Sequence, residues 1–220
     1  MGYESVFADE LVPQKSHLLL RHDVDVSLKY AVEVAKIEKI CDVKSTFFVQ
    51  ITSDFYNALS KNSFMLMKEI LDDGHRIGIH VDIGDVERID QIGPKVKAEA
   101  QILSNFLSVD VNTFSFHRPG VLKKFKDYHQ INLEGFINFY DRRLFKDIKY
   151  VSDSRGGWYY GHPLETEEAK QGKAMQLLTH PIWWGSMGRG CETAREVLHK
   201  HVEFRGEETL KLFGGEFRIF

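Results

Sequence analysis

Two carboxylates close the stretch HLLLRHDVD, Asp23 and Asp25, and histidines close three others: His80 in RIGIH, His117 in TFSFHRP and His180 in MQLLTH. Successive side chains of a strand alternate sides, so Arg21, Asp23 and Asp25 share one side of a regular strand, while His22 and Val24 face the other. Two carboxylates so placed lie roughly 6–7 Å apart. Buried together they repel, and one takes up a proton unless a cation sits nearby. Arg21 supplies one positive charge. A divalent metal supplies two and suits imidazoles arriving from neighbouring strands. The acidic pair therefore reads as one metal ligand and one base.

The elements that carry these residues alternate. HLLLRHDV, KSTFFVQI, HRIGIHV, TFSF, FINFY and MQLLTH read as strands. SLKYAVEVAKIEKI, with Ser27 as N-cap, reads as a helix, as do SKNSFMLMKEILD stopped by Gly74, PKVKAEAQILSNFL opened by Pro94, and CETAREVLHKHVEF. Strand–helix alternation predicts one α/β domain over residues 1–220 with a parallel sheet, either a barrel or a doubly wound sheet. Residues 139–172 are polar and irregular, and no element is placed there. Parallel strands share a direction, so the polar exits of four strands fall on one face, where α/β folds build active sites.

Each residue has a plainer explanation when taken alone. His22-Asp23 at a strand end could be a turn and helix cap. His80 could be a hydrogen-bonded core histidine, and Arg118-Pro119 a strand-to-loop junction. His75 starts the strand that His80 ends, about 16 Å away, and is read as structural. His17 belongs to the opposite face. His129, His199 and His201 are expected to be solvated, and His162 has no assigned place.

Composition narrows the class. The 220 residues carry 29 basic and 32 acidic side chains, a net charge of −3 that gives no support for a nucleic-acid partner. Cys41 and Cys191 form no CxxC pair, so neither a disulfide framework nor a zinc knuckle is expected. No stretch is long and apolar enough to span a bilayer, and the first residues lack the pattern of a signal peptide, so a soluble cytoplasmic protein is expected.

In this order and strand context, HDVD, STFFV, GHRIGIH, HRP and LTH resemble the polysaccharide deacetylase family, the NodB-homology group of carbohydrate esterases. RHDVD with SFHRPG, DSRGGW and THPIWW is similar to a subgroup associated with surface-polysaccharide biosynthesis. The resemblance implies a distorted (β/α) barrel of about seven parallel strands and a divalent metal, usually zinc. It implies that Asp23 is the catalytic base, Asp25 and His80 metal ligands, Arg118 the group that orients the base, and His180 the general acid. Asp153 and Trp158 correspond to a region that supports the site and are candidate substrate contacts. The family's second motif carries another histidine four residues after the first, and Gly84 stands there instead. A catalytic zinc usually has three protein ligands. His117, Asp82 and Asp85 are open as the third, with His117 favoured because imidazole suits zinc. Trp158, Trp183, Trp184 and Tyr159 are candidates to line the apolar face of a sugar.

The expected function is metal-dependent removal of an N-acetyl or similar acyl group from a sugar or glycan precursor. Two rivals stand beside it. A catalytically decayed domain on the same fold would bind carbohydrate or act as a scaffold, as Gly84 suggests. A phosphohydrolase of the HD type would place His22-Asp23 on a helix rather than a strand.

Overall fold

A computed structural model describes residues 2–120, 131–158, 161–185 and 193–212. Its strands are β1 Glu4–Ser5, β2 His17–Val24, β3 Ser45–Val49, β4 Arg76–Asp82, β5 Thr113–His117, β6 Ile137–Asn138, β7 Lys149–Ser152 and β8 Met175–Thr179. Its helices are α1 Leu28–Ile40, α2 Lys61–Asp72, α3 Ile92–Leu107, α4 Arg142–Phe145, α5 Glu167–Lys170, α6 Pro181–Trp184 and α7 Ala194–Leu212. The strands form one parallel sheet in the order β6-β5-β4-β3-β2-β8-β7, with β1 paired to the start of β2. The sheet curls into a distorted (β/α) barrel, which decides between the two architectures that alternation left open.

Alternation along the strands divides two cores. Phe47, Val49, Ile77, Ile79, Val81, Phe114 and Phe116 point outward and pack under the helices, with Ala31 and Ala35 of α1, Met67 and Ile70 of α2, and Val96 and Leu103 of α3. Those helical spacings of three, four and seven put one apolar stripe on each helix. Ser60 caps α2, its hydroxyl accepting from the Ser63 amide, and Gly74 leaves the helix at φ +92°, a conformation that favours glycine. The inner face is smaller and holds Leu19, Phe48, Phe139 and Leu144. Gly78 lies on this side, and a Cβ there would come within 2.6 Å of Phe48 Cε1 and Thr113 Oγ1. Its missing side chain is the space the Phe48 ring fills.

The two end strands of the path, β6 and β7, make no ladder with each other among the described residues. Side chains cross that seam. The buried Gln176 amide of β8 donates to the carbonyls of Phe139 and Leu144. The rings of Tyr140, Phe145 and Tyr150 follow one another at centroid spacings of 5.1 and 4.6 Å.

Several sequence expectations change. FINFY forms a strand only at Ile137–Asn138, and β7 lies inside the stretch read as irregular. Helix α7 runs to Leu212, beyond the expected Phe204. His201 is not solvated: it is 4% exposed, with its ring against Tyr30 at 5.8 Å. His129, Cys191 and Tyr159 lie outside the described residues.

Candidate metal centre

The site stands on the mouth of the barrel where β2, β4, β5 and β8 end. On β2, Arg21 and Asp23 point inward and His22 outward, as alternation requires. Arg21 is fully buried. Its Nε and Nη2 each donate to Asp23 at 2.8 Å, and its guanidinium lies 4.6 Å from the Tyr140 ring centroid. Burial pushes the Asp23 carboxyl up, but the Arg21 guanidinium, with His80 and His180, outweighs it and holds the group below its usual range. His22 turns into an outer network, with Thr179 Oγ1 at 2.6 Å and Glu38 Oε1 at 2.8 Å. Glu38 also accepts from Ser45, whose hydroxyl meets His75 Nδ1 at 2.9 Å, which accounts for His75 structurally.

Asp25 lies one residue beyond the end of β2. The Tyr56 hydroxyl donates to the Val24 carbonyl at 2.7 Å and Ser53 to the Asp25 carbonyl at 3.3 Å, fixing the turn. His80 faces inward from β4 opposite Ser115 of β5, its register partner. His117 ends β5 on the same side. Ligand atoms of Asp25, His80 and His117 all lie within 4.8 Å of one another. His80 Nε2 is 3.1 Å and His117 Nδ1 3.3 Å from the same oxygen, Asp25 Oδ1. Burial opposes ionisation of Asp25, and the imidazoles of His117, His80 and His180 around it more than reverse that, leaving the carboxyl strongly depressed.

The alternatives for a third ligand point elsewhere. Asp82 accepts from Gly84 N and from Arg118 Nη2, at 2.8 and 2.7 Å, and Asp85 pairs with Lys95. A divalent cation fits the three convergent residues on two grounds. Asp25 Oδ1 is buried without a well-aligned donor among the described residues, although two imidazole nitrogens approach it. Ser115 Oγ is 3.5 Å from Asp23 Oδ1 and 2.7 Å from His80 Nδ1. A hydroxyl has one proton, and an ionised carboxylate can only accept. With Ser115 donating to Asp23, it would accept from His80 Nδ1–H, the tautomer that leaves Nε2 free to ligate a cation.

His180 follows β8 and approaches Asp25 Oδ2 at 3.8 Å. Asp153, just after β7, receives the His180 amide, His180 Nδ1 at 2.6 Å and Trp184 Nε1 at 2.6 Å. Burial lowers the His180 pKa, but the Asp153 hydrogen bond and the Asp25 and Asp153 charges raise it to about 9. The imidazole thus carries a proton at neutral pH.

Three expected roles need correcting. Arg118 does not reach Asp23: its backbone is left-handed at φ 51°, its side chain is 65% exposed, and it pairs with Asp82. Arg21 holds Asp23 instead. Asp153 is not a substrate contact, because both its oxygens are taken by His180 and Trp184. Trp183 does not line the mouth: it packs on Val26, Tyr30, Ile182 and Val197. Its neighbour Trp184, 51% exposed and 5.8 Å from the Trp158 ring, does. Ser115 went unnoticed in the sequence, although its place opposite His80 is the signal that could have found it.

No family model matches the chain, and no curated protein matches it. Solved structures do. A polysaccharide deacetylase from Bacillus cereus is 16% identical over 86% of this chain and 88% of that one, with a TM-score of 0.49. A family 4 carbohydrate esterase from Bacillus anthracis is 16% identical over 88% and 78%, with a TM-score of 0.47. A CE4-family pseudoenzyme from Bacillus anthracis is 18% identical over 90% of this chain and 63% of that one, with a TM-score of 0.44. At these levels the chemistry of this chain has to be read from its own residues.

Proposed function

We propose that the chain, read as a single domain, is a metal-dependent carbohydrate N-deacetylase of the polysaccharide deacetylase type. The observation that carries this reading is the convergence of Asp25, His80 and His117 between a carboxylate held by Arg21 and an imidazolium held by Asp153. The two flanking groups are an acid and a base set in opposite protonation states, which hydrolysis of an amide requires.

Asp25, His80 and His117 would hold the cation, and one oxygen with two nitrogens suits zinc. Bound there, the cation would supply Lewis acidity, polarising the acyl carbonyl and acidifying a water. Asp23, kept ionised by Arg21, takes the proton of the attacking water. His180 gives its proton to the amine nitrogen as the C–N bond breaks, and Asp153 keeps its ring aimed. Acetate and a free amine leave, and the proton on Asp23 returns to solvent while His180 regains one. Trp184 and Trp158 offer flat apolar faces to a sugar ring at the mouth. A role in surface-polysaccharide biosynthesis agrees with the motif pattern.

The test is metal analysis of purified protein together with acetate release from N-acetylated sugars. Wild type is expected to hold about one zinc per chain, and Asp25→Asn, His80→Ala and His117→Ala to lose it. Asp23→Asn is expected to keep the metal and lose turnover. Metal retained by all three ligand variants, or absent from wild type, would overturn the reading in favour of a decayed binding domain.

A further inference from the structure

A cavity of about 800 Å³ opens beside the metal centre, between the start of α1, the loop before α2 and α7. Val26 and Ser27 form part of its wall and directly follow Asp25. Leu28 is three residues from Asp25, so their Cα atoms lie within ~11 Å. The cavity wall and the metal centre are therefore neighbours along the chain.

The lining has an unusual charge for a protein of net charge −3. Lys29, Arg205 and Lys211 line it against one acid, Glu208. Lys29 Nζ lies 4.3 Å from the Phe204 ring centroid, and Phe55 and Tyr56 add aromatic wall opposite. The residues that open α1, Ser27, Leu28 and Lys29, line the cavity. Ser27 makes no side-chain cap hydrogen bond, and no acidic residue occupies the first turn. The opening amides of a helix lack intrahelical partners and carry partial positive charge, so they attract anions. An independent feature agrees. His201 lines the cavity at 4% exposure with Nδ1 lacking any hydrogen-bond partner among the described residues. A buried polar nitrogen without a partner is costly unless a ligand satisfies it.

We propose that this cavity binds the phosphate or diphosphate group of an activated sugar, with the amides of α1, His201, Lys29 and Arg205 as donors and the aromatic wall taking the carrier. That the bound molecule is a substrate rests on the deacetylase reading; that the cavity binds a phosphate anion does not. A nucleoside diphosphate and an isoprenoid diphosphate share this chemistry and differ in what meets Phe55 and Phe204.

Full-length protein stripped of metal, titrated calorimetrically with pyrophosphate, UDP and farnesyl diphosphate, tests the proposal. Pyrophosphate is expected to bind with a Kd below about 1 mM. The variant Lys29→Glu/Arg205→Glu should weaken it at least about tenfold, and added salt should weaken wild type but hardly the variant. His201→Phe should weaken it about fivefold. If the double variant melts early, Arg205→Gln gives the same comparison. Tighter binding of UDP than of pyrophosphate supports the site with a nucleotide carrier, and tighter binding of farnesyl diphosphate supports it with a lipid carrier. No pyrophosphate binding, or equal binding by wild type and variants, overturns the proposal. Acetate release from a neutral N-acetylated oligosaccharide, measured in parallel, separates the two claims. Release without pyrophosphate binding overturns the cavity site alone. Binding without release from any N-acetylated sugar supports the anion site while removing the deacetylase reading.

Discussion

Replacing Arg21 by Met strands the Asp23 carboxylate, which is only 3% exposed and takes two 2.8 Å hydrogen bonds from that guanidinium. Removing one partner of a buried pair costs ~3–5 kcal/mol, because the other charge is left in low dielectric. For a chain of this size that lowers Tm by roughly 6–20 °C. The pH dependence gives the sign. In wild type the Asp23 pKa is depressed, so its contribution is present above the unfolded value near ~3.9 and is lost as pH falls through the lower folded value. In Arg21→Met the folded pKa rises above the unfolded one, so stability is lost as pH rises from ~4 instead. Measured against wild type at each pH by urea unfolding, the cost should be full at about pH 7 and smaller by at least ~1 kcal/mol at about pH 4. Arg21→Met/Asp23→Asn carries no stranded charge and should cost only ~1–2 kcal/mol. A single-variant cost below ~1 kcal/mol at neutral pH would refute the pairing argument, as would a double variant no more stable than the single.

Glu99 on α3 is 7% exposed. Burial, aided by Asp82 and Asp85 and opposed by Lys95, pushes its pKa to about 7 from 4.5. The native state keeps this proton while the unfolded chain loses it, so stability falls between those two pH values. Glu99→Gln should therefore stabilise by ~2–3 kcal/mol above about pH 7.5 and by little near pH 4.5, read from Tm across pH. Gly78→Ala puts a methyl 2.6 Å from Phe48 and Thr113 and should cost ~1–3 kcal/mol in denaturant unfolding. Asp153→Asn removes the charge that helps hold the proton on His180. Its imidazole pKa, followed by NMR in metal-free protein, should fall by at least ~1 unit from about 9.

The meeting of Asp25, His80 and His117 could be read from the chain because parallel strands send their ends to one face. Alternation then settles which side chains point in: Arg21 and Asp23 inward, His22 outward. Where backbone conformation leaves the regular strand, that logic stops. Arg118 follows His117 by one residue, but a left-handed φ turns it to Asp82, and no strand pattern encodes that turn. Trp183 and Trp184 are neighbours in a four-residue helix, where adjacent side chains diverge by about 100°. Sequence shows two tryptophans at the site without saying which one faces it. Strand β7 escaped notice because KYVS is four residues long and only its last two are buried. The burial of His201 comes from Tyr30 on a distant helix, which the charged sequence of α7 does not announce.

Among the described residues, the seam between β6 and β7 is bridged by an amide and a row of rings instead of a backbone ladder. A ladder fixes register, since a slip of one residue turns every side chain over. Side-chain bridges impose no such step, so what meets across this seam is decided by ring contacts and one amide. Among the described residues the barrel thus holds a guanidinium at its centre, and the strands away from that joint stay tied by their ladders.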